Sequence, residues 1–231
     1  MPKEAPEMSL EIANLDVSIE GISILRDINL SIPQGQMAGL IGHNGAGKTT
    51  LIRAIMGLLP ATRGSITFKG QDISKLPSHR RANLRISYMP EDRRLIPDLT
   101  VSENMLMPAW ANNIKDGEER LKWVYSLMPE IADFGERKAL QLSGGQQKLV
   151  ALGRALIPGR ELILLDEPFE GVAPVLARRL SEVIADLRAE GLTVLIAESD
   201  DSHSSDLVDA TWRIERGSVS AGRKDPSASL A

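Results

Sequence analysis

Gly42-His43-Asn44-Gly45-Ala46-Gly47-Lys48-Thr49-Thr50 sets three glycines, a lysine and two hydroxyls in one short run, a combination suited to holding phosphate. The run fills every fixed position of the pattern G-x-x-x-x-G-K-[ST]. Glycines let the backbone curl so that successive N–H groups point inward, making an anion nest at the positive end of a following helix. Lys48 brings a point charge to the outer phosphates, and the Thr49 hydroxyl can take a place on Mg²⁺. A second set of reactive groups closes the apolar run Leu162-Ile163-Leu164-Leu165, which ends in Asp166-Glu167. Carboxylates at the carboxyl end of a buried parallel strand lie where α/β folds bind ligands. Asp166 is placed there to hold Mg²⁺ through water, and Glu167 to accept a proton from an attacking water. A third run, Leu142-Ser143-Gly144-Gly145-Gln146, has Ser143 capping a helix with Gln146 three residues on. Capping does not account for two consecutive glycines in a first turn, each costing ~1 kcal/mol relative to alanine. Their absent side chains leave amides of a helix N-terminus open to a second anion.

The elements that must position these groups are also readable. Met37-Ala38-Gly39-Leu40-Ile41 reads as a buried strand, and Leu51, Ile52, Ile55 and Met56 fall at helical spacing, with a stop near Gly57 and Pro60. Leu10 to Ile32 alternates apolar and polar around a break at Glu20-Gly21, which predicts two antiparallel strands. A third strand is expected at Ser65 to Phe68, giving a small sheet beside the main parallel one. Ile86 to Met89 is another short strand, and the run Glu91-Asp92-Arg93-Arg94 after it reads first as a solvated loop. Thr100-Val101-Ser102-Glu103 is a capping box, Leu121 to Met128 has helical spacing, and no strand pattern precedes Leu142, so a helical insertion is predicted. Leu149, Leu152, Ala155 and Leu156 form the face of a helix ended by Pro158-Gly159. Pro174 opens a helix carrying Leu176, Leu180, Val183, Ile184 and Leu187 up to Gly191, and Thr193 to Ala197 completes a βαβ unit. A hairpin over Trp212 to Val219 is expected to close the fold, with a frayed tail from Ser220.

Bulk properties narrow the function. The chain has 231 residues, enough for a full core, and a net charge of −4, so a nucleic-acid partner is not expected. It has no cysteine, which excludes thiol catalysis and disulfides. No run reaches the ~20 apolar residues a membrane helix needs, and no secretory leader is read at the start, so any membrane role must come through another chain. Aromatics at 3% argue against base-stacking surfaces.

With the three runs in this order and spacing, from about Leu10 to Val219, the chain resembles the ATP-binding subunits of ABC transporters; Leu-Ser-Gly-Gly-Gln is far more specific to that family than the phosphate loop. The resemblance implies a P-loop NTPase with a RecA-like core, a small antiparallel β-subdomain and an inserted helical subdomain at about 97–145. The whole would be a single ABC ATPase domain over 8–220, with flexible tails at 1–7 and 221–231. It implies ATP and Mg²⁺ as ligands, and a second ABC ATPase subunit, identical or not, bound head to tail. Ser143, Gly144, Gly145 and Gln146 of one copy would then complete the site built on Gly42, His43, Asn44, Gly45, Ala46, Gly47, Lys48, Thr49 and Thr50 of the other. It further implies integral membrane permease subunits, a periplasmic solute-binding protein acting indirectly, and a peripheral place on the cytoplasmic face of the inner membrane.

Met89 to Val101, together with Asp166-Glu167-Pro168-Phe169-Glu170-Gly171-Val172-Ala173-Pro174, resembles the second ATPase subunit of bacterial branched-chain amino-acid importers and their urea and amide relatives. In that subgroup Glu91 replaces the usual glutamine, adding a carboxylate near Mg²⁺, and Ala173 stands where most of the family has aspartate. Ile19 falls at the position of the adenine-stacking aromatic, and Ser199 at that of the γ-phosphate histidine, with His203 four residues on. These departures lead to the expectation of a subunit that binds ATP firmly and hydrolyses it slowly. The alternatives are a weakly hydrolysing half of a heterodimer and a lipid or polysaccharide exporter ATPase.

Overall fold

A computed structural model describes residues 7–222. The chain opens with an antiparallel pair, β1 (Met8–Ile19) and β2 (Ile22–Pro33), joined at Glu20-Gly21, where both residues have left-handed φ (51° and 81°). With β4 (Arg63–Phe68) and the two-residue β5 (Gln71–Asp72) they form a four-stranded sheet of order β2-β1-β4-β5. Their alternation buries Leu10, Ile12, Leu15 and Val17 on one face and leaves the other wet, as the sequence pattern requires.

The second sheet has six strands in the order β10-β9-β3-β8-β7-β6: β3 (Met37–Ile41), β6 (Ile86–Met89), β7 (Leu162–Asp166), β8 (Thr193–Glu198), β9 (Ala210–Glu215) and β10 (Ser218–Ala221). All pairings are parallel except β9 with β10. Both faces are covered. Ile163 and Leu165 of β7 enter one core with Val194 and Ile196 of β8, while Leu162, Leu164, Leu195 and Ala197 enter the other. That two-sided burial is why these strands read as continuous apolar runs.

Among the described residues seven α-helices flank the sheets: α1 (Lys48–Ile55), the short α2 (Ser78–Asn83), α3 (Val101–Ala111), α4 (Gly117–Leu127), α5 (Pro129–Ala132), α6 (Gly144–Leu156) and α7 (Pro174–Ala189). The stretch from α3 to α5 shares a core with α6, α7 and one face of the sheet, through Met105, Val124, Met128, Leu152 and Leu180. Both expected capping boxes are formed, Thr100 with Glu103 and Ser143 with Gln146. The expected hairpin is longer than its sequence reading. Ser220 and Ala221 pair with Arg213 and Trp212, so the tail predicted from Ser220, and the boundary set at 221, fall inside β10. Backbone pairing outweighs the small, polar composition on which that expectation rested. The other tail residues, 1–6 and 223–231, lie outside the described residues.

Candidate functional site

The candidate site gathers at the carboxyl ends of three adjacent strands, β3, β8 and β7. Register fixes their relative depth: Ile41 lies opposite Glu198, and Asp166 opposite Ala197. The chain leaves β3 through Gly42, whose N–H donates to the Glu198 carbonyl at 3.0 Å. A Cβ at Gly42 would stand 2.3 Å from the Ile214 carbonyl oxygen, so the strand–loop junction admits only glycine. Gly47, with φ 114°, is the N-cap of α1, and a Cβ there would meet Leu25 Cδ2 at 2.8 Å. The loop is also tied to the β9–β10 turn, where Gly217 N donates to Ala46 O at 3.0 Å.

Inside this loop Lys48 is buried, at 5% exposure. Its Nζ donates to the carbonyl oxygens of Gly42 and, at 3.3 Å, of His43, and pairs with Glu167 Oε1 at 3.0 Å. Each of these contacts competes for the donors that a phosphate would use. Glu167 is held from several sides. Its backbone adopts a left-handed φ of 49°, a strain of about 1–2 kcal/mol for a residue with a side chain. Its N–H donates to Ala197 O at 2.9 Å. Ser199 N donates to Oε2 at 3.2 Å, and Ser199 Oγ lies 2.7 Å from Oε1 and 2.8 Å from Asn44 Oδ1. One hydroxyl proton serves one of these two acceptors at a time.

Asp166 is fully buried. Thr49 Oγ1 donates to its Oδ1 and the Tyr88 hydroxyl to its Oδ2, each at 3.1 Å. Burial raises its pKa, with the two hydrogen bonds opposing that shift. Burial, and then the Asp166 charge, raise the Tyr88 hydroxyl well above its usual range, so Tyr88 remains a donor. Glu198, beside Glu167, is pushed up to about 9, first by burial and then by the Glu167 charge. Its Oε1 accepts from Phe169 N at 3.3 Å.

A cleft of about 420 Å³ runs over these groups. The loop lines it with Asn44, Gly45, Gly47, Lys48, Thr49 and Thr50, and Glu91 and Glu167 face in from the other side. Thr49, Glu91 and Asp166 also line a smaller adjoining hollow of about 130 Å³ with Tyr88. The oxygens offered there, a hydroxyl and carboxylates, are the hard donors that suit Mg²⁺, which takes few protein ligands and keeps waters or phosphate oxygens for the rest. Among the described residues no group of three or more histidine or acidic side chains is arranged to hold a metal ion. Burial, then the Glu170 charge and a hydrogen bond to Glu170, raise Glu91, so it is a weaker ligand than its charge implies.

The structure thus brings together the phosphate loop, Asp166, Glu167 and Glu91. Ser143, Gly144, Gly145 and Gln146 do not line this cleft; Ser143 and Gly144 are exposed at the free N-terminus of α6. The apolar wall of the cleft is Ile24, whereas Ile19, at the end of β1, is 37% exposed and outside the lining. His203 lies with its ring 5.4 Å from that of Phe169, also outside the lining. Sequence reasoning passed over Tyr88 and Glu198. Tyr88 shares its short strand with a second hydroxyl, Ser87, and nothing in the sequence sets it apart; Glu198 stands one residue past the end assigned to its strand.

Residues 25–170 match the ABC transporter family. The chain is 36% identical over 198 residues to the high-affinity branched-chain amino acid transport ATP-binding protein BraG of Pseudomonas aeruginosa, covering 86% of this chain and 85% of that one. It is 33% identical over 214 residues to the lipopolysaccharide export system ATP-binding protein LptB of Haemophilus influenzae, covering 92% and 89%. It is 30% identical over 211 residues to the probable branched-chain amino acid transport ATP-binding protein LivF of Archaeoglobus fulgidus, covering 91% and 89%. Among solved structures, a nucleotide-free ATP-binding cassette from an ABC transporter superposes with a TM-score of 0.83 at 28% identity, over 96% of this chain and 93% of that one. A cassette in its ADP conformation gives 0.80 at 28%, over 95% and 96%.

Proposed function

The chain belongs to the ABC transporter family, as an ATP-binding and ATP-hydrolysing subunit of a transporter, and from that premise we propose that it powers an importer for branched-chain amino acids or related small solutes. The observation carrying this reading is the 36% identity to BraG over 86% of the chain. A second reading, export of a lipid or polysaccharide, is favoured by the 33% identity to LptB over 92% of the chain. Uptake of labelled leucine by cells lacking the chain separates the two. Import requires uptake to return with the wild-type chain and not with Glu167→Gln; uptake that never depended on the chain removes leucine as the imported solute and counts towards export.

Within the site, residues Gly42 to Thr50 hold the phosphates of ATP through backbone N–H groups and the Lys48 ammonium. Thr49 and Asp166 would hold Mg²⁺, Asp166 through water, with Glu91 as a further carboxylate beside it. Bound there, the ion would neutralise charge on the phosphates. Phosphate draws Lys48 off Glu167, whose carboxylate is then free to accept a proton from water while Ser199 fixes its orientation. Because Glu167 already faces Lys48 at 3.0 Å, the base stands within one side-chain length of the phosphate-binding group. In Glu167→Gln, ATP binding is expected to persist while turnover falls by roughly 10²–10⁴-fold. Equilibrium nucleotide binding measured beside phosphate release tests this, and wild-type turnover would remove Glu167 from the mechanism.

The exposed Ser143 and Gly144, with the half-buried Gly145 and Gln146, serve the site of a second ATPase subunit, bound head to tail. Permease subunits would place the pair on the cytoplasmic face of the membrane; among the described residues no helix is long and apolar enough to cross one. We take residues 8–221, through the end of β10, as one ATPase domain, with the helical subdomain at about 97–145.

A further inference from the structure

Lys148 sits on α6, five residues past the Ser143 cap and about 7.5 Å farther along the axis. It is 3% exposed. Burying an ammonium is costly unless hydrogen bonds replace its water, and the groups that do so here are main-chain carbonyls. Lys148 Nζ donates to Glu167 O at 2.6 Å and reaches Glu170 O at 3.5 Å. These two carbonyls bound the turn that carries the proposed base, closed by Glu170 N donating to Glu167 O at 3.2 Å. The Glu198 carboxyl takes the intervening Phe169 N–H, so every residue from Glu167 to Glu170 except Pro168 is bonded from outside or across the turn.

Such a turn needs holding. Glu167 has a left-handed φ of 49°, a conformation that persists only when its surroundings over-determine it. The neighbouring Ala197 fixes its N–H and Lys148 fixes its carbonyl, one on each side of the strained Cα. We propose that Lys148 is a positioning residue for ATP hydrolysis: from the helix that begins at Ser143, it locks the Glu167–Glu170 turn and so aims the Glu167 carboxylate into the cleft. The inference rests on the reading of Glu167 as the base. Because Ser143 and Lys148 ride on one helix, displacement of the exposed Ser143–Gly144 end moves the grip on the base of the same chain. Burial pulls the Lys148 pKa below the usual lysine range, in accord with an ammonium enclosed by this turn.

A double-substitution cycle tests the proposal on the full chain, with ATP turnover, KM and denaturation midpoint measured for each variant. Lys148→Met keeps the length and removes the donor. It is expected to lower kcat by about 10- to 100-fold, the scale of a misplacement near 1 Å, with KM for ATP within about twofold. In a Glu167→Gln background the same substitution should change the residual single-turnover rate by less than about twofold, because the group it aims is already gone. Unchanged kcat in Lys148→Met, or an equal loss in both backgrounds, overturns the proposal. Should the methionine variant fail to fold, Lys148→Gln takes its place in the same cycle. If Glu167→Gln alone turns over like wild type, the base assignment is what fails, and the two failures stay distinct.

Discussion

Glu198 makes the residue scale testable through pH. A carboxylate in water has its pKa near 4.5, and burial beside Glu167 pushes this one up to about 9. The folded chain therefore keeps a proton that the unfolded chain releases between those values, so unfolding sheds about one proton in that window. Stability from this group is present below pH 4.5 and is lost as pH rises towards 9, with a slope of up to about 1.4 kcal/mol per pH unit. Glu198→Gln replaces the neutral acid with a neutral amide and removes the titration. Between pH 6 and 9 its melting temperature should fall less steeply than that of wild type, as thermal unfolding across that range would read. Parallel curves would mean that Glu198 is ionised in the fold. The other residues of the site divide by how far their partners lie in the chain. Lys48 and Thr49 were legible because local glycines and flanking periodicity marked them. Tyr88 was not, because its partner Asp166 is 78 residues away and a hydroxyl in a short strand has many innocent uses.

At the level of elements, helix ends show the same division. The caps at Thr100 and Ser143 close within three residues, so S/T-x-x-E/Q spacing announced both. The C-terminal end of α1, the phosphate-loop helix, is closed from far off by Arg81. Its Nη1 donates to Ala54 O and Ile55 O at 2.8 Å, Nε to Leu76 O at 2.8 Å, and Nη2 to Ser74 O at 2.9 Å. Only 2% of Arg81 is exposed, and burial lowers its pKa. In sequence it is one arginine of Ser-His-Arg-Arg-Ala-Asn, indistinguishable from a surface charge, and neither α2 nor its role was foreseen. A buried cation at a helix C-terminus satisfies orphan carbonyls and complements the macrodipole together. Arg81→Met removes the donor to the Ile55, Leu76 and Ser74 carbonyls, while Ala54 O keeps the Gly57 N–H at 3.0 Å, so it should cost about 2–4 kcal/mol of unfolding free energy. Arg80→Met on the exposed side of the same helix should cost less than about 0.5 kcal/mol. Urea unfolding of the two variants makes the comparison, and equal costs would rule out the capping role.

For the whole molecule, the question is why a chain with one phosphate cleft exposes a second anion-ready helix end that does not face it. The first turn of α6 carries Gly144 and Gly145 on a surface position, although each costs ~1 kcal/mol against alanine. Within the chain the packing reason is partial: a Cβ at Gly145 would meet Leu176 Cδ2 at 2.8 Å, while one at Gly144 would meet only the Arg93 guanidinium at 3.2 Å. In the proposed head-to-tail pairing a second copy would supply the rest, because a two-fold axis would set the α6 terminus of each copy on the cleft of the other. That arrangement predicts complementation. Lys48→Ala destroys the cleft and keeps the α6 terminus; Ser143→Arg does the reverse. Each variant alone has no site with both halves intact and should sit near background turnover. Mixed in equal amounts, about half of the pairs combine one of each, and every such pair has one intact site of two, so turnover should return to about a quarter of wild type. Phosphate release from the separate and mixed variants measures this. Mixtures no more active than their parts would mean that copies of this chain do not complete one another's site, and the exposed glycines would then need a different partner.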